Sequence, residues 1–411
     1  MIYVNHFSLL NALGNDPTTV LAHWEANEAP GMQPLAAEML LSNEKKAQPP
    51  VYGHVVADLP EIPAALCPTH RSRNNQLLLA ALNSGRETWD ALLAQYPKDR
   101  VGVVLGTSTS GSEEAATFVG SEGKTPADFS SWSQEMGDPA RFLATFLGLH
   151  GPAYTICTAC TSSARAIMSG ARLIEMGVVD AVIVGGADTF ARMPLNGFDA
   201  LGVLSPTLSA PLTQDRQGIT IGEAVGLLWL SKSPMAPTAA MQNAPVIALL
   251  GAGESSDAYH MSSPEPNGTG AEAAMRHALA AAKLTPEAVD YINLHGTGTQ
   301  QNDAAECAAV SRVFGEKPVV SSTKSLTGHT LGAAGITDAI LAILTLCRPV
   351  TLPSQCRDGQ VIDPALAPVH WVQAPTRLAP KTVMSNNFAF GGNNTALIFG
   401  LVATESTTAR E

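Results

Sequence analysis

Three side chains could do chemistry together. Cys160 lies in Ala159-Cys160-Thr161-Ser162-Ser163-Ala164-Arg165, His295 in Leu294-His295-Gly296-Thr297-Gly298-Thr299, and His329 in Gly328-His329-Thr330-Leu331-Gly332. A thiolate attacks thioesters well, and a single imidazole would suffice as its base. A second imidazole points to a second charge developing elsewhere in the reaction. Neutral ring N–H groups can donate to a thioester carbonyl as it becomes enolate-like, which lowers the barrier to losing carbon dioxide from a malonyl group. The carbanion left behind is a carbon nucleophile. The set therefore suits decarboxylative condensation onto a cysteine-bound acyl group.

Each of the three needs an element to present it. The apolar spacing and small residues of 161–176 predict a packed helix, and the short, partly apolar run before Cys160 predicts a strand, so Cys160 is placed at a strand-to-helix turn. The positive end of that helix is expected to lower the thiol pKa. The competing reading is a buried core cysteine, the usual fate of a free one. Cys157 lies three residues earlier, but no second Cys-x-x-Cys occurs and Cys67, Cys307, Cys347 and Cys356 are scattered, so Cys157 is read as packing. His295 ends the apolar run 289–294, at the sheet edge where α/β proteins place catalytic side chains. His329 stands between the polar segment 321–325 and the small residues 332–335. Either histidine alone is more often structural; two in similar glycine-rich settings raise the catalytic reading.

Apolar strand candidates at 101–105, 181–184, 246–250, 291–294 and 383–385 alternate with helical stretches at 76–92, 271–282 and 336–346, which predicts an α/β architecture. The Pro, Ala and Asn-rich segment 234–245 is the best linker, dividing the chain into 1–240, with the cysteine, and 241–411, with both histidines. The 411 residues exceed one ordinary core. The formal charge of −12, from 36 acids against 24 Lys plus Arg, counts against a nucleic-acid enzyme. No apolar run spans a membrane and the N-terminus has no basic region ahead of an apolar one, so a cytoplasmic protein without a disulfide framework is expected. The run 106–112 lacks the lysine of a nucleotide loop and reads as tunnel or interface. His70-Arg71-Ser72-Arg73 is the best basic patch, with Arg71 and Arg73 the candidates for docking an acidic carrier, although a solvated basic pair fits as well.

Four ordered motifs carry a resemblance that spans nearly the whole chain: the Cys160 segment; His295 through Asn302-Asp303-x-x-Glu306; Thr323-Lys324-Ser325-Leu326-Thr327-Gly328-His329 with Gly332-Ala333-Ala334-Gly335; and Asn387-Phe388-Ala389-Phe390-Gly391-Gly392-Asn393-Asn394. Ser256-Asp257-Ala258-Tyr259-His260-Met261 adds a fifth. Together they resemble the elongating β-ketoacyl-[acyl-carrier-protein] synthases of fatty acid and type II polyketide pathways. The resemblance implies a thiolase-like fold, internally duplicated and layered α-β-α-β-α. It implies acylation of Cys160 from the phosphopantetheine of an acyl carrier protein with no other cofactor and no metal. An oxyanion would be held by the N–H groups of Cys160 and Phe390, and malonyl by His295 and His329. Lys324 would be the active-site lysine, paired with Asp338 where the family has glutamate. Phe390 would gate the site, and Phe388, Phe198, Thr297 and Thr299 would contact substrate together with Asp338. A homodimer, or a heterodimer with a related ketosynthase or chain-length subunit, is implied as well.

Several positions depart from the family pattern. Thr213 and Gln217 replace two expected acids, Ala389 replaces a glycine in the gating segment and is expected to stiffen it, and Gly202 stands where an arginine for the carrier is common. With the chemistry intact, these departures point to a specialised polyketide, aryl polyene or fatty acid pathway, neutral drift being the alternative cause. A coenzyme-A-dependent thiolase is the rival enzyme class, which usually pairs its cysteine with one histidine and a second cysteine. A noncatalytic chain-length subunit is the rival non-enzyme, which commonly lacks the nucleophile.

Overall fold

Strands Val101–Gly106, Ala181–Asp188 and Ala224–Ser231 are buried at every position in the computed structural model, which explains why their sequences run small and apolar without alternating. The structure describes residues 1–403 apart from 37–38, 42–49, 68, 122–128, 237, 243 and 358. Among the described residues the main sheet has eleven strands. Its first half runs Ile2–Leu10, Ala224–Ser231, Ala181–Asp188, Val101–Gly106, Ala153–Ile156, joined antiparallel, antiparallel, parallel and parallel. Its second half runs Ile247–Ser256, Asn393–Leu401, Thr382–Phe388, Tyr291–Asn293, Val319–Ser321 with the same succession of pairings, then adds His370–Trp371. The halves meet where Ile2, Tyr3 and Val4 pair with Leu249, Ala248 and Ile247. Strand order and direction therefore repeat within one chain.

Helices Ser162–Glu175 and Ala334–Cys347 pack on each other between the two half-sheets. The second is buried at every position from Ala334 to Leu346, as an all-round apolar helix must be. Each fully buried Ile or Leu there contributes about 1.5–3 kcal/mol of transfer free energy. Arg73–Asn83 and Asp138–Leu147 cover the outer face of the first half-sheet. Thr269–Ala282 covers that of the second, with Gln300–Phe314 against it. The result is a five-layer α-β-α-β-α arrangement whose central helix pair begins beside the candidate site.

Two expectations are revised. The helix expected over 76–92 is two helices, Arg73–Asn83 and Arg86–Leu93, because Gly85 packs on His6, where an added Cβ would meet the ring nitrogen at 2.5 Å. The strand expected at 246–250 continues to Ser256, because the 393–401 strand pairs with the whole length of Gly251-Ala252-Gly253-Glu254-Ser255-Ser256. Phe388 closes the strand Thr382–Phe388, while Phe390 lies in the short turn Phe390–Gly392. The 234–245 segment holds a turn at Ala239–Met241, its residues 237 and 243 lying outside those described.

Candidate active site

The edge strand Ala153–Ile156 leads to Ala159, whose φ of 53° turns the chain sharply so that Cys160 stands at the mouth of the helix Ser162–Glu175. A left-handed non-glycine residue is costly and marks a position held by its surroundings. Cys160 is 7% exposed. Nε2 of His329 lies 3.0 Å from its Sγ. The backbone amides of Phe390 and of Cys160 itself both favour the thiolate form of that sulfur. Burial nevertheless pushes the thiol up to about 12; the Lys324 charge and the two amides pull it back, and Asp188 pushes it further. The expected lowering by the helix end does not occur. The first amides of the turn are already engaged, Thr161 N–H by Thr158 O and Ser162 N–H by Ala159 O, and loss of water outweighs the rest. Cys157, read as packing, is instead exposed.

His295 follows the strand Tyr291–Asn293, and its loop is held by two carboxylates one turn apart on the helix Gln300–Phe314. Glu306 accepts from the N–H groups of His295 and Gly296, each at 2.8 Å, while Asp303 accepts from Gly298 N–H at 3.2 Å and Leu212 N–H at 2.9 Å. This is the physical content of the Asn-Asp-x-x-Glu motif. Burial still raises Glu306 to about 7 against those donors. His329 follows the helical turn Lys324–Thr327, and its N–H donates to Thr220 O at 2.6 Å. The two imidazoles stand edge to face, 5.2 Å between centroids, and Phe388 lies 6.2 Å from the His295 ring. Sγ of Cys160 and one nitrogen of each histidine fall within 4.8 Å of one another.

Both imidazoles are held neutral. Burial first, then the Lys324 charge, lowers His329 to about 3; the same causes, with His329 added, take His295 well below its ordinary value. Lys324 is itself buried, its Nζ 2.8 Å from Asp338 Oδ2, and Asn387 Nδ2 donates to the same oxygen at 2.9 Å. Neither Lys324 nor Asp338 lines the cavity above Cys160, so Asp338, expected among the substrate contacts, acts from behind as the counter-ion. That cavity, of about 200 Å³, is lined by Cys160, His295, His329, Thr297, Thr299, Phe198, Phe388 and Phe390. Phe198 and Phe390 face each other at 5.6 Å. Ala389 has φ −113°, a conformation open to any residue, so its replacement of glycine strains nothing; the left-handed positions are Gly391 and Gly392.

Two family models match, "Beta-ketoacyl synthase, N-terminal domain" over residues 57–236 and "Beta-ketoacyl synthase, C-terminal domain" over 247–356. The "3-oxoacyl-[acyl-carrier-protein] synthase 2" of Vibrio cholerae is 35% identical over 317 residues, 73% of this chain and 75% of that protein. The chain belongs to the β-ketoacyl synthase family. It is a ketosynthase, a transferase of the type that performs carrier-protein-dependent Claisen condensation. Among solved structures, the complex "Ketosynthase (ApeO) in Complex with its Chain Length Factor (ApeC) from Xenorhabdus doucetiae" contains a chain 48% identical, with TM-score 0.91 over 98% of both chains. "The ishigamide ketosynthase/chain length factor" is 26% identical, with TM-score 0.85 over 98% of this chain and 99% of that one. These neighbours share the thiolase-like fold.

In this ketosynthase two members of the expected basic patch meet carboxylates. The Arg73 guanidinium is bound to buried Glu223 at 2.6 and 3.0 Å, and His70 Nδ1 meets Asp138 at 2.6 Å. Arg71 and Arg73 line a second hollow shared with Glu113 and Glu114, apart from the cavity above Cys160. Thr213, where an acid is usual, leaves no unpaired cation, because Arg216 reaches Asp363 at 2.6 Å and Asp303 at 3.7 Å. Among the residues that sequence reasoning missed are Asp188, tied to Ala333 N–H, and the cavity lining at Leu201, Val203, Ser262, Ser263 and Gln301, which carry no local signal. Glu306 and Asp303 were visible as a motif without a role.

The buried imidazoles set an acid limit to stability. His329 titrates near 3 when folded and near 6.5 when unfolded, so below 6.5 only the unfolded chain takes up that proton. Stability present above pH 6.5 is therefore lost as pH falls toward 3, by an amount on the order of a few kcal/mol. His329→Asn removes the uptake and is expected to shift the acid-unfolding midpoint, followed by tryptophan fluorescence, to lower pH.

Proposed function

We propose that Cys160 takes an acyl group from the phosphopantetheine of an acyl carrier protein and extends it by two carbons from malonyl carrier, with no further cofactor. The observation that carries this reading is the 3.0 Å approach of His329 Nε2 to the buried Cys160 sulfur, with a nitrogen of His295 within 4.8 Å of both. In the first half-reaction the sulfur attacks the acyl thioester, the two amides hold the oxyanion, and the Cys160 proton ends on the departing carrier thiol. In the second, the neutral N–H groups of His295 and His329 hold the malonyl thioester oxygen while the carboxylate leaves as carbon dioxide. The resulting carbanion attacks the Cys160 thioester, the same amides hold the second oxyanion, and the Cys160 thiolate leaves and takes one proton from solvent. Lys324 and Asp338 act from beneath, the lysine charge adding to burial in keeping both imidazoles unprotonated. Phe390 moves on Gly391 and Gly392 to open the site, with Phe198 facing it, and Phe388, Thr297 and Thr299 line the malonyl side.

The two repeats, 1–240 with the nucleophile and 241–411 with the histidines, work as one site. The chain acts in the cytoplasm, in a specialised polyketide, aryl polyene or fatty acid pathway. It pairs with a chain-length or related ketosynthase subunit, or with its own copy, through the half-exposed edge strand Ala153–Ile156. The departures at Gly202, Thr213, Gln217 and Ala389 around intact chemistry support that placement, as does the 48% identity to a chain of a ketosynthase and chain length factor complex. A thiolase would use a second cysteine beside Cys160, and no other cysteine lines the cavity among the described residues.

Incubating the purified chain, alone and with candidate partners, with malonyl carrier and saturated, unsaturated and aromatic acyl carriers tests the reading by mass spectrometry. Extension that favours unsaturated or aromatic primers and rises with a partner is expected. Equal extension of ordinary saturated chains by the isolated protein would remove the specialised assignment.

A further inference from the structure

We propose that Asp188 is a positioning residue that clamps the His329 turn onto the Cys160 side of the site. The inference rests on the roles given above to His329 and Cys160. Asp188 is the last residue of the strand Ala181–Asp188 and is fully buried. Its Oδ1 accepts from Thr107 Oγ1 at 2.7 Å, Ser108 N–H at 2.8 Å, Thr109 N–H at 2.8 Å and Thr109 Oγ1 at 2.7 Å. Its Oδ2 accepts from Ser108 N–H at 3.1 Å and Ala333 N–H at 3.1 Å. Such a donor set leaves no lone pair free, which is far more than a buried carboxylate needs for mere satisfaction.

The two groups of donors come from different halves of the chain. Thr107, Ser108 and Thr109 follow Gly106, whose backbone presses on Ser163 at the start of the Cys160 helix; an added Cβ there would meet Ser163 N at 2.3 Å. Ala333 ends the turn Leu331–Ala333, four residues after His329. That turn is itself held in an unusual shape, with Leu331 at φ 51° and Gly332 so close that a Cβ would fall 2.7 Å from Asp188 Oδ2. One further tie joins the same partners, Ile336 N–H to Ser163 Oγ at 2.8 Å. The 3.0 Å approach of His329 to Cys160 spans 169 residues of sequence, so it has to be set by such cross-links, and Asp188 is the charged one. Its negative charge also opposes ionisation of Cys160, so a role in activating the thiol is the wrong account and placement the right one.

Asp188→Asn replaces one acceptor oxygen by an NH₂ that faces N–H and O–H donors. Since a misplacement of about 1 Å can cost on the order of 10²-fold, carbon dioxide release from malonyl carrier is expected to fall by about 10–100-fold with KM little changed. The deciding measurement is the double variant. If Asp188 acts through His329, Asp188→Asn combined with His329→Ala should be no slower in decarboxylation than His329→Ala alone. Losses that multiply, or an Asp188→Asn protein that decarboxylates at the normal rate, would overturn the proposal. A His329→Ala protein with unchanged decarboxylation would instead sink the role of His329 itself, a separate outcome of the same assay. If Asp188→Asn does not fold by circular dichroism, Thr107→Val, which removes one donor and leaves the carboxylate, enters the same cycle and decides it by the same two criteria.

Discussion

Cys160→Ala is expected to accept no acyl group from any acylated carrier and to lose condensation by at least about 10³-fold, because no second cysteine lines the cavity among the described residues and the covalent thioester cannot form. The fold should survive. Removing one sulfur leaves His329 without its 3.0 Å neighbour but breaks no backbone hydrogen bond that holds the loop. Intact-mass measurement after incubation with acyl carrier reads the result directly. Malonyl carrier should still be decarboxylated by this variant, since His295 and His329 remain. Acyl mass persisting on the protein would move the nucleophile elsewhere.

The histidines should separate by half-reaction. In the proposed reaction each supplies one neutral donor to the developing enolate, and losing such a donor costs about 10²–10³-fold, or roughly 2.7–4 kcal/mol of transition-state stabilisation. Both His295→Ala and His329→Ala are therefore expected to release carbon dioxide at least about 10²-fold more slowly. Self-acylation should distinguish them. His329 touches the sulfur, whereas the nearest ring to His295 on the far side is Phe388, so His295→Ala should keep most of its acyl transfer and His329→Ala should lose part of it. Radiolabelled carbon dioxide release and acyl-enzyme mass, measured on the same preparations, report the two steps. Equal loss of both steps in both variants would point to a shared structural role.

Burial governs the chemistry more than any single charge does. The thiol is pushed up to about 12 and His329 down to about 3, so the resting pair is thiol and neutral imidazole, and an ion pair between them is disfavoured from both sides. A site of this kind favours a hydrogen-bond donor at the enolate and leaves the sulfur to be ionised only as the acyl thioester arrives. The charge of Lys324 adds to burial in keeping the imidazoles neutral, and Asp338 and Asn387 hold that charge in place.

Residue type, spacing and motif order pointed to the reaction class, to the α/β alternation, and to the thiol and two imidazoles that the fold brings within 4.8 Å of one another. One thiol and two imidazoles, each flanked by small residues, are demanded by the chemistry itself, and apolar strands followed by glycine and helix are a local pattern. The chain could not by itself reveal what those residues feel. The helix end predicted a more acidic thiol, but desolvation reversed the sign, and desolvation is a property of everything packed around Cys160. Arg73 has the sequence setting of a surface cation, yet its guanidinium is bound by buried Glu223, 150 residues away. Asp188 was invisible because its donors are about 80 and 145 residues distant. The strand through Gly251-Ala252-Gly253 and the break at Gly85 follow the same rule: a partner strand and a neighbouring ring overrode local propensity. Backbone preference and side-chain chemistry act between near neighbours and are written in the sequence, whereas burial, charge pairing and close approach are set by residues that only the folded chain brings together.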